Sequence, residues 1–463
     1  MAQARTLARR PAPPPRPVQT GPATWSRATR EGVVAAAVAV VGLVVIGMWW
    51  HDTPTGSLHT SGTRLTAAGD LTGLVGTYLV LVQLVLMGRI PPLERLLGMD
   101  RLAVWHRRNG QYAICLLVAH AALTIWGYGL TGHTGLASEA RHVVLDYPDM
   151  LAATVGLALL VVIGVVSARA ARARLRYQTW YFIHLYAYLA IALSFAHQFA
   201  TGTDFITHPA NRGLWIVLYV VAFGLLAWYR FATPVRSFLR HRFRVAGLVA
   251  EGPSAVSVYI SGEGLDEIDA EAGQFFLWRF LTRDGWWQAH PFSLSAAPNG
   301  QWLRFTAKAT GDFSARLRSV PRGTRVVAEG PYGAFTGRRR RERKVLLIAG
   351  GIGITPLRAL LESLPGRKGD FCLLYRASTE DDVVLRSEID QLAQRRGAIV
   401  HYLVGPRGSE AELDAGAIRR MCGDLRACDA YVCGPPGFTA AVRAALAELG
   451  VPGARTHTEE FVL

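Results

Sequence analysis

Four histidines occupy stretches of the chain that are otherwise nearly free of ionisable residues: His106 and His120 in one, His184 and His197 in another. A polar ring at membrane depth is costly, so it faces the protein interior and has a task there. If both stretches are helices, the two rings of each lie roughly 20 Å apart along the axis. Two such helices running in the same direction then set one histidine pair near each face of a bilayer. Imidazole nitrogens can fill both axial positions of a haem iron, so this layout suits two bis-histidine b-type haems stacked across the membrane. The spacing of His106 and His120, 14 residues, returns to nearly the same helical face. The 13 residues from His184 to His197 fall about 140° short of a whole number of turns. A distortion is therefore expected in that second helix. Histidines that only hydrogen-bond between helices are the alternative, and it leaves the matched spacing unexplained. His51, His59, His133, His142 and His208 fall outside the apolar stretches and read as solvated.

The second half of the chain carries groups suited to a flavin and a dinucleotide. His290-Pro291-Phe292-Ser293-Leu294-Ser295 is followed by Lys308-Ala309-Thr310-Gly311-Asp312-Phe313-Ser314 and by Glu329-Gly330-Pro331-Tyr332-Gly333. An aromatic on a strand can flank an isoalloxazine ring, and serine hydroxyls, a histidine and a glycine turn can donate to a pyrophosphate. Any one of these pieces alone is also an ordinary strand with an ordinary turn. Gly350-Gly351-Ile352-Gly353-Ile354-Thr355-Pro356 leads from a strand into a helix, where glycines admit a diphosphate to the backbone and the helix N-terminus faces its charge. Tyr431-Val432-Cys433-Gly434-Pro435-Pro436-Gly437-Phe438 places a second rigid turn at a strand C-terminus. Arg376 ends the second strand of this region, where an arginine suits the 2′-phosphate of NADPH. Glu380 to Asp382 follow closely and could serve a ribose instead, which keeps NADH as the other candidate.

Six stretches free of Asp, Glu, Lys and Arg are long enough, or nearly so, to span a hydrocarbon core of roughly 30 Å. They predict helices near residues 32–50, 70–88, 105–128, 150–168, 177–199 and 213–231. Arg27 and Arg30, then Arg89, Arg95, Arg101, Arg107 and Arg108, then Arg169, Arg172, Arg174 and Arg176, and finally Arg230, Arg236, Arg240, Arg242 and Arg244 flank alternate ends of these spans. The remaining loops are expected to hold His51, Asp52, His59, Arg64, Asp70, Glu139, Asp146, Asp149 and Asp204. By the positive-inside rule both termini are cytosolic. Residues 1–31, rich in Pro, Ala and Arg, predict a disordered basic tail without the apolar core of a signal peptide.

From about residue 243, short strand-like runs separated by Gly, Pro and charged turns predict a small antiparallel β-barrel over residues 236–337. From residue 344, buried-strand runs alternate with amphipathic ones, which predicts an α/β parallel-sheet domain over residues 342–463. The expected fold is thus a multi-domain membrane protein with a six-helix bundle over residues 32–232 and two soluble domains. The chain has 463 residues, 51% of them hydrophobic, and a formal net charge of +16. Arginine concentrated beside apolar runs points this charge at a membrane surface rather than at nucleic acid. The run from Arg338 to Lys344 reads as a solvated interdomain face. Five cysteines form no CxxC pair and no CxxCH motif, so no disulfide framework, zinc site or iron-sulfur cluster is expected.

With these motifs in this order, the chain from about residue 32 to 463 resembles the NADPH oxidase and ferric reductase superfamily. The resemblance implies a ferric-reductase-like membrane domain joined to a ferredoxin-reductase-like FAD and NAD(P) module in the cytosol. It implies that His106 and His184 ligate an inner haem, and His120 and His197 an outer one. It implies that His290, Pro291, Phe292 and Ser293 hold FAD and that Gly311 and Ser314 help with its phosphates. Gly351, Gly353, Thr355 and Pro356 would hold the nucleotide diphosphate, and Cys433, Gly434 and Pro435 would lie beside the nicotinamide. Phe461 resembles the aromatic that covers the flavin, although Val462 and Leu463 follow it here. Dioxygen or a ferric chelate would be the acceptor on the far side. Family oxidases carry a further histidine one turn past the outer ligand, and Thr124 stands there, which speaks against dedicated superoxide production. A different reading has the helices as anchor only, with the module reducing a soluble partner protein; the four histidines count against it.

Overall fold

A computed structural model of the chain describes residues 27–460 apart from residues 173, 176, 284, 407 and 409–411. Residues 1–26 of the expected tail, and Phe461, lie outside the described residues. The chain divides into a helical unit of residues 28–93 and 99–230 and a second unit centred on residues 231–463.

Among the described residues of the chain, six helices are long and apolar enough to cross a membrane. They contain α1 (Arg27–Asp52), α2 (Ser61–Leu86), α3 (Met99–Gly132), α4 (Met150–Ser167), α5 (Tyr177–Leu193), whose span runs on to Thr201, and α6 (Pro209–Ala227), whose span runs on to His241. A short helix, Ala196–Thr201, continues α5 after a turn. Leu43, Val44 and Trp50 on α1, and Val217, Val220 and Val221 on α6, stay exposed, which suits a hydrocarbon solvent.

Four helices start earlier than expected: α1 at Arg27, so that residues 27–31 of the expected tail are helical, α6 at Pro209, and α2 and α3 by a wider margin. α2 begins at Ser61 because Thr60 and Thr63 form a reciprocal cap, each backbone N–H donating to the other's hydroxyl at 3.2 Å. Arg64 and Asp70, expected in an outer loop, are therefore helical. α3 begins at Met99, just past Gly98 at φ +88°, so Arg101 is helical too, ahead of Arg107 and Arg108 in the expected span.

Helices α2 and α3 pack antiparallel through glycine. A Cβ on Gly62, Gly69, Gly73 or Gly76 of α2 would meet Thr131, Thr124, His120 or Leu117 of α3 at 2.9 Å or less. This small-residue stripe lets two backbones approach as lipid-embedded helices must. On the other side of the unit, Gly156 of α4 plays the same part against Ala190 and Ser194. Val45 and Trp49 of α1, Leu74, Tyr78 and Leu81 of α2, and Trp215 and Tyr219 of α6 share one apolar cluster.

In the second unit, β1 (Arg244–Glu251), β2 (Ala255–Ser261) and β5 (Leu303–Lys308) form one antiparallel sheet in the order β1-β2-β5. β3 (Phe275–Phe280), β4 (His290–Ser293) and β6 (Val326–Tyr332) form another in the order β4-β3-β6. These two sheets stand where one barrel was expected, linked by isolated bridges from Arg244 to Arg325 and from Leu294 to Phe305. Phe276, Trp278, Phe280, Phe305 and Val258 fill the space between them.

The remaining strands are β7 (Lys344–Gly350), β8 (Phe371–Ala377), β9 (Ile399–Val404), β10 (Cys428–Gly434) and β11 (Thr456–Glu460). They form a parallel sheet in the order β11-β10-β7-β8-β9. Helices α7 (Ile354–Ser363), α8 (Arg386–Arg396), α9 (Ala415–Cys422) and α10 (Pro436–Glu448) connect successive strands. The order reverses between β7 and β10, and open α/β sheets bind ligands at such a switch point. β11 went unrecognised in the sequence because Thr456-His457-Thr458-Glu459-Glu460 has no apolar alternation; it is an edge strand, which tolerates polar residues.

Candidate functional site

The histidine rings meet across helices. His106 and His184 have ring centroids 5.9 Å apart. Two imidazoles sharing one metal ion at about 2 Å each would set their centroids at about 6 Å. His120 lies within electrostatic range of His197, so α3 and α5 run in the same direction, with one pair toward each end. These residues could hold a haem iron for a second reason, which is how their Nδ1 atoms are used. His120 Nδ1 is 2.8 Å from the carbonyl of Gly69, and His106 Nδ1 is 3.4 Å from that of Gln83. His184 Nδ1 lies 3.4 Å from the Ser167 hydroxyl, which also accepts from Trp180 Nε1 at 3.2 Å. Partners on Nδ1 orient a ring and leave Nε2 for a metal. The buried Nδ1 of His197 makes no hydrogen bond of acceptable geometry.

The distortion expected between His184 and His197 is a turn. α5 ends at Leu193, Ser194 and Phe195 leave the helix, and Ala196 restarts it. Gly156 admits this bend, since a Cβ there would meet the Ser194 hydroxyl at 2.3 Å. Thr124, one turn past His120, packs on Gly69, and its buried hydroxyl has no hydrogen-bond partner. Among the described residues no three His, Cys, Asp or Glu side chains gather around a common metal position. Haem asks the protein for only two.

The flavin motif lies on β4, paired to β3 so that His290 faces Trp278 and Ser293 faces Phe275 across the ladder. Phe292 stacks on Phe305 at 4.7 Å, and His290 on Phe313 at 3.6 Å. Burial, with Arg316 acting in the same direction, pushes the His290 imidazole down to about 4, so the ring is neutral at pH 7. Pro291 is exposed on the same strand. The Ser293 hydroxyl is buried and makes no hydrogen bond of acceptable geometry, so it could donate to a ligand. Ser314 accepts from the backbone N–H groups of Thr310 and Gly311, both at 3.1 Å, and so shapes the neighbouring glycine turn.

At the switch point the two glycine turns touch. A Cβ on Gly353 would lie 2.2 Å from the carbonyl oxygen of Cys433, and one on Gly434 would lie 3.2 Å from the Cα of Gly350. Gly351 sits at φ +56° with open space beside it, a backbone that only glycine adopts without strain. Thr355 is buried and donates to the carbonyl of Ile352 at 3.0 Å, and Pro356 is buried in the first turn of α7. Such a cradle suits a dinucleotide diphosphate. Gly434 closes β10, and Pro435 precedes α10. The Cys433 thiol is fully enclosed, and burial, reinforced by Glu459, holds it protonated. Arg376 pairs with Gly350 in the ladder and donates to the carbonyls of Ala377 and Pro406.

One functional feature escaped the sequence reading. Arg304 of β5, almost fully buried, binds Glu388 of α8 through two hydrogen bonds of 2.7 and 2.9 Å. Arg358 of α7 reaches the same carboxylate at 3.0 Å and Glu362 at 2.5 Å. Glu362 in turn accepts from the backbone of Ala297, so the network ties the flavin sheets to the nucleotide sheet. Nothing in the local sequence around Arg304 marks it.

Three family models match the chain in order. The ferric reductase like transmembrane component covers residues 72–195, an FAD-binding domain covers 249–336, and an oxidoreductase NAD-binding domain covers 347–444. The chain therefore joins a ferric-reductase-like transmembrane domain to the FAD and NAD(P) modules of an NAD(P)H-dependent oxidoreductase. This is the domain architecture of the NADPH oxidase and ferric reductase superfamily. A flavohemoprotein of Chromobacterium violaceum is 32% identical over 241 residues, 47% of this chain and 60% of that protein. The ferredoxin reductase component of a 3-ketosteroid-9-alpha-monooxygenase from Mycolicibacterium smegmatis is 29% identical over 231 residues, 47% of this chain and 64% of that protein. The chain thus spans less than two thirds of these relatives' length. Among solved structures, the flavohem-like FAD/NAD-binding domain of a nitric oxide dioxygenase from Vibrio cholerae matches with 26% identity and a TM-score of 0.42. That match covers 48% of this chain and 98% of that one.

Proposed function

We propose that the chain is a transmembrane flavocytochrome b that moves electrons from cytosolic NADPH, through FAD and two b-type haems, to an acceptor on the opposite face of the cell membrane. The observation that carries this reading is the approach of His106 to His184 with their Nδ1 atoms turned toward other partners. His120 and His197 would serve the outer haem. When bound, the flavin would take one hydride, two electrons together, from the nicotinamide and pass electrons singly to haems, which accept one at a time.

The protein's own part is binding and exclusion. His290, Pro291, Phe292 and Ser293 would hold FAD between the two sheets, taken as walls of one barrel, with Gly311 and Ser314 at its phosphates. Gly351, Gly353, Thr355 and Pro356 would hold the dinucleotide diphosphate, and Arg376 the 2′-phosphate. Cys433, Gly434 and Pro435 would flank the nicotinamide, and Phe461 would cover the flavin. A relative named as a ferredoxin reductase component is in keeping with a module that hands electrons onward. Dioxygen and ferric iron are the acceptor classes, and Thr124 at the place of the further histidine speaks against dedicated superoxide production.

The test is vectorial transfer in sealed vesicles with NADPH on the cytosolic face and ferricyanide, which cannot cross, on the other. Ferricyanide should be reduced. Reduction only when both reagents share a compartment rejects the proposal and leaves a membrane-anchored flavin reductase. Haem content supplies the independent arm: His120→Ala and His184→Ala should each lose one of two b-haems per chain, and an unchanged content in both removes the ligand assignment.

A further inference from the structure

We propose that Cys372 and Cys422 form a modification site, which a hydroperoxide oxidises to a reversible intramolecular disulfide. The two residues are 50 positions apart, but β8 and the last residue of α9 bring their sulfurs to 2.9 Å. A disulfide bond is about 2.05 Å long, so less than about 1 Å of movement closes it. The movement has somewhere to come from. Cys422 is the last residue of α9, and Gly423 after it sits at φ +72°, so the helix end can shift without displacing β8.

The other cysteines are unsuited to this chemistry. Cys433 is enclosed in the core, and burial pushes the buried Cys428 thiol up to about 12. Cys115 lies in membrane-spanning α3. Cys372 and Cys422 are each partly exposed at the rim of an apolar cluster that includes Leu374, Ile418 and Leu425. A small neutral oxidant can enter such a place, whereas a partner protein's disulfide cannot. Within the pair the thiols are unequal: the hydrogen bond from Cys422 holds Cys372 below the usual thiol range, while Cys422 is raised. Cys372 is therefore the attacking sulfur and Cys422 the resolving one.

The steps balance. The Cys372 sulfur attacks the peroxide O–O bond; an S–O bond forms, the O–O bond breaks, and the departing oxygen leaves as an alcohol or water, carrying the thiol proton. The Cys422 sulfur then displaces hydroxide from the sulfenic acid, which departs as water with the second thiol proton. Two electrons pass from the sulfurs to the peroxide. A low-molecular-weight thiol reverses the change by exchange. The ring so closed contains both Arg376 and Pro406, so oxidation ties together the two sides of that contact.

The experiment uses the full-length protein in detergent, treated with equimolar hydrogen peroxide, alkylated, digested and mapped by mass. Of the five cysteines, two should stop reacting with the alkylating reagent, and one linked peptide joining Cys372 to Cys422, lighter by two hydrogens, should appear. Dithiothreitol should restore both thiols. Cys372→Ser and Cys422→Ser should each abolish the linked peptide, while Cys115→Ser leaves it intact; retained flavin reports that each variant folds. Mapping of the wild-type protein needs no variant and decides alone. Full alkylation of both cysteines after peroxide, oxygen added to either without a cross-link, or a cross-link that takes in Cys428 would each overturn the assignment.

Discussion

Arg376 shows how a single side chain can be held ready for a ligand. Its guanidinium donates to the carbonyls of Ala377 and Pro406 at the C-terminal edge of the sheet, beside the glycine turn of β7. Fixed there, it would offer a planar charge to the proposed 2′-phosphate at little further cost in side-chain entropy. Arg376→Ala should lower flavin reduction by NADPH, as kcat/KM, by about tenfold or more, the worth of one charged hydrogen bond. NADH should lose little. Equal use of both nucleotides by the wild-type protein would remove the argument. At this scale the sequence was most informative: His106, His120, His184 and His197 stand out because charge and imidazole are rare in apolar stretches. Ser293 could be named from its motif, but not as a buried hydroxyl without a partner, since that depends on what β3 and β5 leave around it.

At the scale of elements, the helical unit depends on small residues facing large ones. Gly73 of α2 leaves room for the His120 ring, and a Cβ there would fall 2.6 Å from Nδ1. Gly73→Ala should displace that ring or part the helices, at a cost of about 1–3 kcal/mol for overpacking. If His120 and His106 hold the proposed haems, the variant should lose the one at His120 and keep the one at His106. Haem-to-flavin ratio and thermal melting report the two effects. Gly224→Ala on α6, where nothing lies within 4 Å, is the control and should change neither. A normal haem ratio in the Gly73 variant would show that the stripe does not position the ligand. The spans themselves were legible from hydropathy, but their ends were not. The Thr60–Thr63 cap and the turn at Ser194–Phe195 are local backbone events inside runs of uniform polarity, so apolar length alone passes over them.

For the soluble unit as a whole, the decisive interaction is Arg304 with Glu388 and Arg358, which joins flavin sheets to nucleotide sheet across a long stretch of chain. Burial pushes the Glu388 carboxyl up, and the two guanidiniums more than offset this, holding it at about 2. A carboxyl depressed in the folded state adds stability that is complete above its unfolded value of about 4.3 and fades as pH falls toward the folded one. Glu388→Gln should therefore destabilise the unit by about 3 kcal/mol at pH 7, because it strands the buried Arg304, while Arg358 keeps its pairing with Glu362. The gap between wild type and variant should hold level above about pH 5 and narrow below about pH 4. Thermal release of flavin from the full chain measures it, and a gap independent of pH down to 3.5 would mean that charge is not its source (about one unit below the unfolded value). What sequence alone determined was composition and order: six apolar spans, then short antiparallel strands, then alternating strands and helices, each carrying the residue types its cofactor asks for. Those properties are local, written in period and polarity. The pairing of His106 with His184 was already expected, but only the tertiary structure decided the other meetings: Gly353 against Cys433, Arg304 with Glu388, Cys372 with Cys422. Each joins residues far apart in the chain, and which of many distant residues will meet depends on how whole elements pack, a property that no single stretch of sequence carries.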